Sequence, residues 1–327
     1  MYYIYRMTMD GVSHTGVAGC ASVAEYDSGT IMKHEAVSSE KVVDRAKNID
    51  ACGYDTEPVL LSYRHDAKID GLIGGYIGAN GPEYDFTADD GVRHELWVIS
   101  DDNIISGLQG LFLSVPAFYI ADGHHRSAAA SAVSRKRYEK DGTAPGESLY
   151  DFFLAIAFPD DELGIQSFSR AVKGLDGNEP DEFLGKILAM GFEYEKKESG
   201  FIPDERHTVA MCLQGEWYSL KMQDKVLSDD PAESLDVTIL QKYLLAPVLG
   251  IFDPSSDSRL DYLKGSVPTD ELEKMTEDGY DVVFVMHPVS TAEITAVAEE
   301  GGVMPPKSTC FAPKPESGLM LYRVDAD

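Results

Sequence analysis

The stretch Phe118-Tyr119-Ile120-Ala121-Asp122-Gly123-His124-His125-Arg126-Ser127-Ala128-Ala129-Ala130 decides how this chain is read. Four apolar residues run into Asp122-Gly123, and an alanine-rich segment suited to a helix follows at once, to about Lys140. The start of a helix exposes unpaired N–H groups and the positive end of the macrodipole. Two imidazoles and a guanidinium sit at that same end, where a cation opposes the dipole, so local stability alone does not select Arg126 there. A bound anion reverses the sign. Gly123 allows close backbone approach, Arg126 offers a bidentate grip on phosphate, and the small residues 127–130 let the helix lie close to its strand. The plainer alternative is that the histidines bond to nearby carbonyls and Asp122 is an ordinary N-cap. The convergence of Asp, Gly, His, His and Arg in one turn favours the anion site.

Upstream, Tyr2–Met9 and Val12–Val23 read as a hairpin turning at Asp10-Gly11. A helix follows Ser38 or Ser39 as N-cap, Pro58–Tyr63 is a buried strand, and residues 69–77 suit a helix weakened by three glycines. Asp89-Asp90-Gly91 separates two strands, the second Glu95–Ile99, and residues 102–113 form a helix. Downstream, Lys140–Gly146 resembles a linker, and Tyr150–Phe158 is a strand. A helix near 180–190, a strand pair at 207–213 and 216–222, and an amphipathic helix at Leu235–Leu245 come next. The chain closes with strands at Asp281–Met286 and Gly318–Val324 around a helix at Thr291–Glu300. Strands and helices mix without strict βαβ alternation, which favours an α+β fold of mixed sheets with flanking helices. The expected parts are residues 1–145 and 146–327.

The 327 residues carry 56 acidic and 28 basic side chains, a formal charge of −28. So acidic a surface repels polyanions, which argues against nucleic acid as a partner, while a local basic pocket for a small anion survives because screening acts beyond roughly 8–10 Å. Cys20, Cys52, Cys212 and Cys310 lie far apart and match no zinc or redox spacing, as expected of reduced, mostly buried thiols in a cytoplasmic protein. There is no signal peptide pattern and no apolar run approaching the ~20 residues that span a bilayer. The chain lacks H-E-x-x-H, G-x-x-x-x-G-K-[ST] and strand-linked G-x-G-x-x-G, so a zinc hydrolase is not indicated and any nucleotide site is neither P-loop nor Rossmann. No metal ligand set is assigned.

Two further segments carry chemistry-bearing residues. Lys33-His34-Glu35, with Asp44-Arg45 after it, sets a histidine beside a carboxylate, a pairing suited to proton transfer; a solvated loop entering a helix is the equal alternative. Met304-Pro305-Pro306-Lys307-Ser308-Thr309, with Lys314 beyond, offers consecutive donors on a proline-stiffened approach and reads equally as a phosphate clamp or a surface loop.

At these residues the sequence resembles a bacterial family known as domain of unknown function one-thousand-and-fifteen. The resemblance runs through Ile31–Glu35 with Asp44-Arg45, Asp90-Gly91 with His94 and Trp97, and Tyr119–Arg126. It continues through Leu235–Ile251, Met304–Thr309, Pro313-Lys314 and Ser317–Leu319. The Asp-Gly-His-His-Arg turn also resembles the nucleotide box of the ParB/sulfiredoxin superfold, which includes CTP-binding partitioning proteins and free-serine kinases. That resemblance implies a ParB/sulfiredoxin-like nucleotide-binding part at 1–145, followed by a C-terminal α+β part. It implies ATP or ADP, or CTP, with Mg²⁺, and a small hydroxylated substrate such as serine. Gly123, His124, His125 and Arg126 would hold phosphates; Lys33, His34, Lys307, Ser308 and Thr309, from the two segments above, are the further candidate cofactor contacts. Asp122 would steady metal or substrate, and Glu35 would be the base, with His124 beside it. The family pattern implies a further N-terminal segment ahead of Met1. The expected activity is phosphotransfer to a metabolite, with nucleotide sensing without turnover as the alternative; a homodimer is allowed.

Overall fold

The computed structural model describes residues 2–142, 146 and 148–325. The chain divides into two compact units, Met1–Gly164 with Phe311–Asp327, and Ile165–Cys310.

In the first unit, Tyr2–Met9 (β1) and Val12–Ser22 (β2) form the expected hairpin, with Met9 opposite Val12. Asp10 and Gly11 both take positive φ, 52° and 79°, the backbone that a two-residue turn between twisted strands requires. The chain continues through Val23–Ser28 (α1), Ile31–Met32 (β3), Ser39–Cys52 (α2), Tyr54–Asp55 (β4), Val59–Tyr63 (β5) and Ala67–Ala79 (α3). Then come Tyr84–Thr87 (β6), Arg93–Ile99 (β7), Asp102–Phe112 (α4), Phe118–Asp122 (β8), His124–Asp141 (α5) and Phe152–Pro159 (β9). Eight of the strands make one mixed sheet in the order β3-β8-β5-β9-β2-β1-β7-β6. β3 runs parallel to β8 and β5 parallel to β9; the other pairs are antiparallel. Val59, Leu61, Tyr63, Trp97, Ile120 and Phe153 join Ile69 and Ile73 of α3 in its core. On α5, Ser127, Ala129, Ala130 and Ser131 are buried, as their small size suggested.

The second unit follows with Ile165–Gln166 (β10), Phe168–Val172 (β11), Pro180–Ala189 (α6), Phe192–Lys197 (β12), Thr208–Leu213 (β13) and Glu216–Met222 (β14). Asp236–Leu240 (α7), Ala246–Leu249 (α8), Leu260–Lys264 (β15), Thr269–Glu277 (α9), Val282–Met286 (β16) and Thr291–Glu299 (α10) complete it. Six strands form an antiparallel sheet in the order β12-β14-β13-β16-β11-β15 around Ala171, Ala210, Cys212, Trp217, Val283 and Val285. The fold is α+β with mixed sheets and flanking helices, as the sequence indicated.

Several expectations need correction. The linker at 140–146 falls partly outside the described residues. The strand after it, β9, lies between β2 and β5 in the first sheet, so the contact boundary falls at 164/165 rather than 145/146. The segment 318–324 keeps only Tyr322–Arg323 (β18) as strand, paired with β4 outside the large sheet; Cys310–Phe311 is β17. The helix expected at Leu235–Leu245 runs on to Leu249 through a wider π-type stretch, Gln241–Leu245. Pro247 has no N–H for the preceding turn, which accounts for the changed register. All four cysteines are free; Cys212 and Cys310 are buried as expected, but Cys20 and Cys52 are exposed. Among the described residues no helix is long and apolar enough to cross a membrane.

Candidate functional site

The turn between β8 and α5 is built by two local devices. First, β8 pairs with β5 through a bulge, Leu60 opposite Asp122 and Leu61 opposite Ile120, and a bulge bends a strand and re-aims the side chain beyond it. Second, Gly123 takes φ 106°, ψ 23°, a left-handed conformation that glycine adopts without a Cβ clash, so the chain turns straight from strand into helix. Its carbonyl then accepts from the N–H groups of Arg126 and Ser127 at 2.8 and 2.9 Å.

Arg126 is held at both terminal nitrogens by the protein. Nη1 donates to the Pro58 carbonyl, and Nη2 donates to Asp122 Oδ2 at 2.7 Å. Lys314 Nζ reaches the same oxygen at 3.2 Å. Burial alone would raise the Asp122 pKa, but Arg126 and Lys314 outweigh it and hold the carboxyl below the usual carboxylate range. The free fork expected for phosphate is therefore an internal ion pair: Asp122, one helical turn before Arg126, supplies the negative charge that the sequence argument assigned to a ligand. Nearby, burial pushes the Asp55 carboxyl up to about 6, against hydrogen bonds from the Leu154 and Glu57 N–H groups and the attraction of Arg126.

Lys33, His34 and Glu35 are brought to the first turn of α5 by β3, which pairs with β8 at Ile31–Phe118 and Met32–Tyr119. His34 and His124 meet edge to face, ring centroids 4.5 Å apart, and both are buried. The His34 backbone N–H donates to His124 Nε2 at 3.4 Å. Nε2 thus accepts, the proton lies on Nδ1, and Nδ1 faces Glu35 Oε2 at 3.6 Å. Burial pushes the His124 pKa well below its ordinary value, reinforced by His34, His125, Arg126 and Lys33. Burial likewise brings His34 down to about 4, and both its ring nitrogens are buried without a hydrogen-bond partner. His125 serves a structural end: Nε2 accepts the Ser38 N–H at 3.1 Å, at the start of α2, where the Ser38 side chain makes no cap. Lys33 is exposed, with Nζ over the Tyr26 ring at 5.3 Å.

The loop 304–309 belongs to the second unit. There Lys307 has φ 58°, its Nζ lies over the Phe168 ring at 5.2 Å, and its carbonyl accepts from Arg170. Ser308 Oγ donates to the Pro305 carbonyl at 2.7 Å, and Thr309 is half-buried. These partners make the loop self-supporting within its unit. Sequence reasoning missed Asp55 and the Pro58 carbonyl, for which no motif gives a signal, and it did not attach Lys314 to Asp122.

Chemically, the first unit offers a carboxylate (Glu35) facing a neutral imidazole N–H, beside a helix start and two lysines. Among the described residues no group of three or more His, Cys, Asp or Glu side chains could hold a metal. Mg²⁺ keeps several waters and uses one or two carboxylates plus substrate phosphates, so Asp122 or Glu35 would suffice for an ion arriving with a nucleotide.

Fold and site together define an α+β protein with a carboxylate–imidazole pair at a strand–turn–helix. The chain belongs to the family described as "Protein of unknown function (DUF1015)", whose sequence model matches residues 1–238. Comparison with curated proteins gives no match. Among solved structures it is similar to SbnI with C-terminal truncation from Staphylococcus aureus, with TM-score 0.49 and 13% identity over 93% of this chain and 87% of that one. It is also similar to free serine kinase in complex with AMP, with TM-score 0.44 and 13% identity over 90% and 87%. A conserved hypothetical protein from Pyrococcus furiosus gives TM-score 0.44 and 14% identity over 92% and 93%.

Proposed function

We propose that the protein is a cytoplasmic nucleotide-dependent phosphotransferase acting on a small hydroxylated metabolite such as serine, with ATP or ADP and Mg²⁺. The observation that carries this reading is Glu35 facing the neutral Nδ1–H of His124 at 3.6 Å, beside the first turn of α5. Phosphoryl transfer depends chiefly on positioning and charge stabilisation. In this reading Glu35 takes the proton of the attacking hydroxyl, His124 orients that carboxylate, and the helix start with Lys33 and Lys314 meets the phosphates. Asp122 holds Lys314 and Arg126 in place and is the carboxylate offered to the ion. A bound phosphate competing for Lys314 and Arg126 would open the pair to Asp122.

A second reading, a nucleotide sensor without turnover (CTP included), draws support from His125 and Arg126, whose side chains are already committed to the protein. Calorimetric titration with Mg²⁺ and ATP, ADP or CTP, followed by labelled nucleotide with a metabolite mixture containing L-serine, separates the two. Phosphorylated product that disappears in Glu35→Gln, with nucleotide affinity retained, supports the kinase. Binding without product supports the sensor. Absence of binding by all three nucleotides, or binding unchanged in Arg126→Ala, overturns both.

A further inference from the structure

In the first unit, the apolar layer between the large sheet and the helices α1 and α4 contains an unfilled space. There Val17, Gly19 and Ala21 of β2 stand opposite Ala157, Ala155 and Phe153 of β9, and Leu61 of β5 pairs with Ala157. The middle of the layer is thus floored by glycine and alanine. The Tyr2 ring covers Gly19, where a Cβ would lie 2.9 Å from its Cδ1 and Cε1. Beside it a cavity of about 290 Å³ remains, with Tyr2, Leu61, Phe112, Phe118, Ala155 and Ala157 among its walls.

Small residues alone decide nothing, because neighbouring side chains normally lean in, and packed interiors leave few voids larger than a water molecule. Here the neighbours are held back. Phe112 and Phe118 both meet the fully buried Tyr63 edge to face, with ring centroids 5.4 and 6.1 Å away, and Tyr2 is seated on Gly19. The rings therefore stand as fixed walls around a preformed space. Among the described residues no basic side chain lines it. Besides Tyr2 and Cys20, its polar side chains are Ser22 and Glu25, at the start of α1. Glu25 is exposed, so its carboxylate marks the open end.

We propose that this cavity binds a neutral two-ring aromatic compound whose ring N–H points outward to Glu25. An apolar protein cavity of about 150 Å³ takes up benzene, so roughly twice that volume admits a fused pair of rings. Fixed ring walls offer edge-to-face and offset contacts to an aromatic guest. The carboxylate at the open end accepts from a ring N–H and repels an acid. The site is separate from the Glu35–His124 pair and does not depend on the function proposed for it.

The test titrates the full chain with indole and, in parallel, with indole-3-carboxylate, by calorimetry at neutral pH and about 0.15 M salt. The proposal expects saturable one-site binding of indole, with the carboxylate at least tenfold weaker. Ala157→Leu fills the floor and should abolish indole binding. Ala155→Val fills less of it and should weaken indole at least fivefold, so one variant remains if the other unfolds; an unchanged or raised melting temperature shows the fold intact. Glu25→Gln, at an exposed position, keeps an acceptor and loses the charge. It should leave indole binding unchanged and bring the carboxylate to within threefold of it. Indole that does not bind saturably, that keeps its affinity in the folded filled variants, or that binds no better than its carboxylate overturns the proposal.

Discussion

Replacing Gly123 with alanine tests the geometry of the β8–α5 turn most directly. Two costs add. At φ 106° an L-residue is strained by about 1–2 kcal/mol. A Cβ built there also meets Arg126 Nε at 3.0 Å and its Cζ and Nη2 at 3.1 Å. A free arginine head would move aside at little cost, but this one is tied to the Pro58 carbonyl and to Asp122. Displacing it forfeits a charge-assisted bond in a half-exposed setting, about 1–2 kcal/mol more. The expected loss is therefore about 2–4 kcal/mol, or roughly 4–16 °C in melting temperature for a unit of this size. Gly142, at the far end of α5, provides the comparison: φ is 66° and nothing lies within 4 Å of its Cβ position, so alanine there bears the backbone cost alone. Urea unfolding of Gly123→Ala, Arg126→Met and the double variant completes a cycle. The double variant should be more stable than additivity predicts by about 1–2 kcal/mol, because one change removes what the other disturbs. Strict additivity, or equal losses at Gly123 and Gly142, would show that Arg126 is not held as described.

Two pH-dependent predictions follow from buried groups. Asp55 has its folded pKa raised to about 6, so the folded state binds the extra proton and stability falls as pH rises from about 4 to 6. Asp55→Asn should remove that slope and leave the variant relatively more stable above pH 6, by at most about 3 kcal/mol at 1.36 kcal/mol per pH unit; a stability difference flat between pH 4 and 7 refutes it. His34 has its folded pKa lowered to about 4, so the unfolded chain takes up the proton first and stability is lost as pH falls from 6.5 toward 4. His34→Phe, which leaves no orphan nitrogen, should flatten that acid limb and change stability at pH 7.5 by less than about 1 kcal/mol; a loss of several kcal/mol in thermal melts would reveal a partner for the imidazole.

The elements that were legible in the sequence are those with a local cause. Asp10-Gly11 demands positive φ and so fixed the first hairpin; Phe118–Ala130 changes period within two residues and so fixed the strand and helix at the site. Strands β11 and β15 passed unnoticed because Phe168–Val172 and Leu260–Lys264 are only five residues long and β11 pairs with partners about ninety or more positions along the chain, which flanking turn residues do not reveal. The assignment of β9 failed for a related reason. Its apolar run identified a strand but carried no information about which sheet would accept it, and parallel pairing with β5 links residues almost a hundred positions apart.

At Arg126 the residue type alone shows that a guanidinium at a helix start needs a negative partner; in the fold Asp122, four residues earlier, is one such partner. The i, i+4 spacing was visible, but the bulge that aims Asp122 back over the turn was not, because a bulge depends on how β5 registers against β8. The meeting of Glu35 with His124 is likewise non-local, set by β3 lying parallel to β8. A buried imidazole kept neutral, with its proton directed at a half-exposed carboxylate, contributes little to stability. It does fix the orientation of the Glu35 carboxylate, which is why the proposed chemistry rests on Glu35 and His124 as well as on the arginine that first drew attention to the turn.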